Sequence, residues 1–214
     1  TTMTSYGTDL IIILPELVVV AAACLVLILD PVTPRSRKEL LAWLSLGSLA
    51  LCVGLTGGQI GVQNVSLSAF NDLVVVDGYA RFWKLLLYGA TGLTILMSLP
   101  YLKIEGLHLG EYYGFILLAL SGMMVMVSGA DLLTIYLGTE LMSLSLYVMA
   151  GLKRSSPRSL EASAKYFVLG AFSSGLLLYG ISLLYGLSGG TKLSTIAGAL
   201  GARGFDDPML LIAT

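Results

Sequence analysis

The stretch Tyr136 to Tyr147 reads YLGTELMSLSLY, and Glu140 decides how it is interpreted. The segment is otherwise fit to lie in lipid, yet a glutamate carries a full charge at neutral pH in water. Reading outward, the apolar run extends from Leu132 to Leu152 and is long enough to cross a bilayer as a helix. Glu140 lies eight residues past the first and twelve before the second. At 1.5 Å per residue that puts it roughly 12 to 18 Å from either end, near the bilayer centre. A lipid-facing charge at that depth costs about 2.5 to 3.5 kcal/mol on insertion scales, so Glu140 is expected to face protein or water. Tyr136, Glu140, Ser143 and Tyr147 recur at steps of four, three and four, which places them on one stripe of the helix. This polar seam has a simpler alternative role, hydrogen bonding to a neighbouring helix.

The composition agrees with a membrane setting. Of the 214 residues 56% are hydrophobic and only 12% charged, and the mean hydropathy is +0.88, far from an ordinary soluble domain. A formal net charge of −1 provides no basic field for nucleic acid, so that class is excluded. Cys24 and Cys52 fall inside apolar runs without CxxC spacing, and the single histidine is His108. They read as small buried hydrophobes, with no disulfide and no metal site expected. AAAC at Ala21 to Cys24 faintly resembles a processing box, but no Lys or Arg precedes it and the apolar run continues, so an uncleaved span is expected.

Six stretches meet the length and hydropathy of a membrane-crossing helix, approximately residues 8–29, 39–56, 79–99, 112–128, 132–152 and 159–187. A seventh apolar run opens near Met209, and the sequence stops inside it at Thr214, as a piece of a longer subunit would. The fold class is therefore an all-α integral membrane bundle, with residues 1–214 forming one transmembrane domain. Asp30 to Lys38 and Lys153 to Pro157 are short polar turns, whereas Gly57 to Gly78 is long and holds a strand-like alternation, NVSLSAFN. The long segment is expected to lie flat at one surface. Turns after spans one, three and five carry Arg35, Arg37, Lys38, Lys103, Lys153, Arg154 and Arg158; the opposite set carries only Lys192 and Arg203. This asymmetry predicts a cytoplasmic first set and an N-terminus on the outer, periplasmic side.

A second charge at depth is Lys165, six residues past Ser159 in span six. The short turn between spans five and six makes these helices antiparallel neighbours, so Glu140 and Lys165 are expected to share an internal polar cavity, bridged by water. Glu161, four residues before Lys165, is a rival partner, and Arg158 precedes it by three. That ladder reads either as an interfacial ion cluster with a snorkelling lysine or as a proton entry route. Burial favours the neutral form of a carboxyl or an amine, and a nearby opposite charge favours the ionised form. Paired groups of this kind can therefore take up and release protons as their separation changes. Of the remaining polar residues, Glu16 is expected in a helix-packing or interfacial role and Asp131 as a helix cap. Lys84 is expected to snorkel to the surface. Gly170, Ala171, Ser173, Ser174 and Gly175 are read as packing residues, and Met123 to Met126 as core filling.

Residues 129–191, GADLLTIYLGTELMSLSLYVMAGLKRSSPRSLEASAKYFVLGAFSSGLLLYGISLLYGLSGGT, resemble the subunit N family of bacterial respiratory complex I, the proton-pumping NADH:quinone oxidoreductase. EYYGFILLALSGMMVMVSGAD at 111–131, DGYARFWKLLLYG at 77–89 and ILPELVV at 13–19 are similar as well. The resemblance implies the first half of a fourteen-helix antiporter-like subunit built from inverted five-helix units. On it, the family's helix-five glutamate falls on Glu140 and its helix-six lysine on Lys165, and a further lysine of the broken seventh helix should lie just past Thr214. It also implies no cofactor in this chain, with flavin, iron–sulfur clusters and quinone held by partner subunits. The expected partners are other membrane-arm subunits, including neighbouring antiporter-like ones, within the bacterial inner membrane. A subunit of a multisubunit cation/proton antiporter and a purely structural membrane scaffold are the competing readings.

Overall fold

The structure is a computed structural model and describes residues 3–34, 37–60, 67–104 and 109–203. Helices dominate it: α1 (Met3–Ile12), α2 (Leu14–Leu29), α3 (Glu39–Ile60), α4 (Gly78–Ile104), α5 (Glu111–Ser128), α6 (Leu132–Ala150), α7 (Pro157–Ser188) and α8 (Leu193–Arg203). Between α3 and α4 lies one hairpin, β1 (Leu67–Ala69) and β2 (Val74–Val76), paired antiparallel with Leu67 opposite Val76. Five of the described helices, α3 to α7, are long and apolar enough to cross a membrane; α2 is apolar but shorter.

The expected first span is therefore not one helix. Ile13 separates α1 from α2 with φ −94° and ψ 13°. Pro15 supplies the cause: it has no N–H to give the preceding turn, and its ring crowds the carbonyl four residues back. The long segment expected from Gly57 begins later, because α3 runs on to Ile60, and β1 falls within its strand-like NVSLSAFN. The hairpin turn holds Phe70, Asn71 and Asp72 at φ 54°, 56° and 64°. Asn and Asp enter this left-handed region readily, whereas Phe70 is strained there; its ring packs with the Ile12, Ala69 and Val76 cluster. The short helix α8 was not foreseen. The apolar run from Met209 to Thr214 lies outside the described residues, as does His108.

Helices α2, α3, α4 and α5 close into a ring in which α2 and α4 each pack on α3 and α5 and face one another across the middle. Their shared core holds Val19, Ala23, Val26, Leu49, Cys52, Tyr88, Ile95, Leu117, Leu120 and Met124. Met124 thus fills core as expected. Cys24, by contrast, is exposed on the outer face of α2, so only Cys52 behaves as a buried hydrophobe. Helix α6 packs on the outside of α5, and α7 on α6. Lys103 at the end of α4 meets Glu39 at the start of α3 (2.9 Å), and Arg154 beyond α6 meets Glu111 at the start of α5 (3.5 Å), which fixes these pairs as antiparallel. The opposite end is sewn together by backbone hydrogen bonds from Ala130 to Leu73, Leu132 to Thr191 and Leu193 to Ala130.

Candidate functional site

The position of Glu140 is set by how closely α6 lies on α5. A Cβ built on Gly138 would stand 2.8 Å from the Gly122 carbonyl oxygen and 2.9 Å from the Met126 nitrogen, and one on Gly122 would stand 2.6 Å from the Gly138 oxygen. Only two glycines allow the backbones to touch there, as small residues do at close membrane-helix crossings. With one face of α6 held against α5, the seam of Tyr136, Glu140, Ser143 and Tyr147 turns toward α7.

There the seam finds partners. The Ser174 hydroxyl donates to the Glu140 Oε1, and the Tyr136 and Ser174 hydroxyls share a hydrogen bond of 3.0 Å. Tyr147 is buried, stacks edge-on with Tyr166 at 4.7 Å and with Phe167 at 5.9 Å, and lies over Gly170, where a Cβ would meet its hydroxyl at 1.8 Å. Nearer the turn, the Ser163 hydroxyl donates to the Tyr147 carbonyl and Ser159 to that of Ala150, each at 2.7 Å. Ser143 sits half-buried on the same stripe. Of the small residues on α7 read as packing, Gly170 and Ser174 touch α6; Ala171, Ser173 and Gly175 are exposed. Glu140 is thus half-buried in this chain, at mid-helix, in a hydroxyl-lined contact between two membrane-length helices.

Lys165 is not part of that contact. It lies nine residues before Ser174, a rotation of about 900° at 100° per residue and a rise of about 13 Å. It therefore projects from the opposite face of α7, where it pairs with Glu161; both are well exposed, at 70% and 62%. The expected cavity shared by Glu140 and Lys165 does not form among the described residues, because α7 itself stands between them. Arg158 is exposed on the first turn of α7. Much of α7 presents exposed leucine and phenylalanine on that side, including Leu169, Phe172 and Leu176.

A second pair of charges forms where only a snorkelling Lys84 was expected. Lys84 does not snorkel, and Glu16 takes the helix-packing role rather than the interfacial one: Lys84 Nζ lies 2.5 Å from Glu16 Oε1, with the lysine side chain fully buried and the glutamate 9% exposed. The pair spans the middle of the α2–α5 ring. The signal available was that both charges fall inside apolar runs, Glu16 after Pro15 and Lys84 six residues into α4. Asp131 caps α6 as expected, accepting from Leu133 N at 2.9 Å, and it also receives the Thr191 hydroxyl at 2.5 Å. Among the described residues, no three His, Cys, Asp or Glu side chains gather as a metal site.

Residues 129–214 match the family described as NADH:quinone oxidoreductase/Mrp antiporter, TM. Over those residues the chain is similar to antiporter-like membrane subunits. Along nearly its whole length it is similar to proteins named NADH-quinone oxidoreductase subunit N. It is 42% identical to NADH-quinone oxidoreductase subunit N 2 of Solibacter usitatus over 97% of its own length and 43% of that protein's. It superimposes with a TM-score of 0.67 on a chain of respiratory complex I from Thermus thermophilus, with 25% identity, covering 93% of this chain and 42% of that one. An archaeal membrane-bound sulfane sulfur reductase shares the fold, with a TM-score of 0.73 at 20% identity over 97% of this chain and 42% of that one. The chain spans less than half the length of these relatives.

Proposed function

We propose that this chain is part of a membrane-arm subunit of an NADH:quinone oxidoreductase and takes part in proton translocation driven by quinone reduction. The observation that carries the reading is the Glu140, Ser174 and Tyr136 contact: a carboxylate at mid-membrane that accepts from the Ser174 hydroxyl across a helix interface, with the Tyr136 hydroxyl bonded to the same serine. Hydroxyls donate and accept, so such a cluster can hold a proton on the carboxylate or pass one along. Glu140 is the proton-carrying group; Tyr136 and Ser174 position it, and Ser143 and Tyr147 extend the polar stripe toward the turn. Lys165, with Glu161 and Arg158, offers charge on the other face of α7. The subunit needs no redox group for this role; flavin, iron–sulfur clusters and quinone belong to partner subunits. It works in the bacterial inner membrane beside other membrane-arm subunits, with its N-terminus outside.

Copurification tests the assignment. A tagged full-length subunit isolated in mild detergent should bring along flavin-bearing and iron–sulfur subunits. Recovery with other antiporter subunits and no redox partner would assign it to a cation/proton antiporter instead. Neutralising Glu140 with assembly intact separates transport from a scaffold role.

A further inference from the structure

The Glu16 and Lys84 pair is not used by the mechanism above, and its surroundings are unusual for a simple packing contact. The two groups come from α2 and α4, which face each other across the ring rather than packing directly. Their closest approach is 2.5 Å, yet neither Glu16 oxygen nor the Lys84 amine has a well-aligned hydrogen-bond partner among the described residues. A carboxylate has about four acceptor sites and an ammonium three donors, and buried polar groups left so open are satisfied in proteins by ordered water. Other polar groups border the same core. Thr56 and Tyr88 share a hydrogen bond of 3.3 Å, the Cys52 thiol lies 3.5 Å from the Pro15 carbonyl next to Glu16, and buried Arg81 is one turn from Lys84.

We propose that Glu16 and Lys84, with the Thr56 and Tyr88 hydroxyls, form a second intramembrane site that binds water and exchanges a proton, inside the α2–α5 ring and apart from the Glu140 seam. Moving one proton from the Lys84 ammonium to the Glu16 carboxylate leaves an amine and a carboxylic acid, with no change in net charge. In a low-dielectric interior the ionised pair gains attraction but bears the desolvation of two charges, while the neutral pair bears neither. The balance of attraction against desolvation decides where the proton rests, so water entering or leaving the site can move it.

The inference deepens the reading of the chain as a proton-translocating subunit and rests on it for one of two tests. In the full-length subunit within its assembled complex, E16Q/K84M replaces both charges by neutral groups of similar size, which a buried pair generally tolerates. Infrared spectra of the wild type should contain a deuterium-sensitive carboxylic C=O band that shifts in E16D and is lost in E16Q/K84M. Identical spectra for wild type and the double variant at every pH would overturn the site and leave a permanently ionised clamp. In the transport test, protons moved per quinone reduced should fall in E16Q/K84M, and a wild-type ratio would remove the site from the pathway. The infrared result stands or falls independently of Glu140, so failure of this site and failure of the proposed function are distinguishable.

Discussion

Gly138→Ala puts one methyl group where α5 and α6 touch. The new carbon would lie 2.8 Å from the Gly122 oxygen, 2.8 Å from Met126 Cγ and 2.9 Å from the Met126 nitrogen. Two of those three atoms are backbone and cannot rotate aside. Restoring an ordinary contact of 3.4 Å requires the helices to part by about 0.6 Å, the difference between 3.4 and 2.8 Å. Overpacking of this kind costs about 1–3 kcal/mol, offset by up to ~1 kcal/mol from the better helix propensity of alanine. The net expectation is a loss of roughly 1–2 kcal/mol. Gly175→Ala is the control, since nothing stands within 4 Å of its Cβ and only the propensity gain applies. Unfolding in a denaturing detergent, followed by circular dichroism, should give a lower midpoint for G138A and an equal or higher one for G175A. A G138A chain as stable as the wild type would refute the backbone contact and, with it, the reason α6 turns its seam toward α7.

Three other substitutions probe the remaining links. Ser174→Ala removes the hydroxyl that serves both Glu140 and Tyr136; it should cost about 1.5–3 kcal/mol, the range for a hydrogen bond to a charged group, falling to about 0.5–1.5 kcal/mol in an E140Q background, where the acceptor is neutral. Asp131→Ala should cost about 0.5–2 kcal/mol as a lost N-cap, and amide exchange at Leu133 and Thr134 should speed up. Glu161→Ala breaks an exposed pair with Lys165, so stability should change by no more than about 1 kcal/mol, and less at high salt.

Hydropathy and length made the helices legible, because a bilayer leaves few ways to satisfy backbone polar groups. The stripe from Tyr136 to Tyr147 was legible too, since its spacing is fixed by helix geometry before any neighbour is known. What a single helix does not encode is which neighbour each face meets. Lys165 looked close to Glu140 because both lie in adjacent spans, yet its rotation about α7 carries it to the other side. Glu16 and Lys84 are nearly 70 residues apart in sequence, and only closure of the α2–α5 ring brings them together. Snorkelling was the cheaper expectation for a lone lysine; a buried carboxylate across the ring changes that balance. The break at Ile13 was written in Pro15, whereas α8 gave little apolar signal of its own.

The most direct measurement compares wild type with Glu140→Gln in the full-length subunit of the assembled, membrane-reconstituted complex, recording proton uptake and quinone reduction together. Glutamine keeps the size and can still accept from Ser174, but it cannot carry the proton. The account predicts a complex that assembles and loses the proton translocation assigned to this subunit. Protons moved per quinone reduced at the wild-type ratio would contradict it.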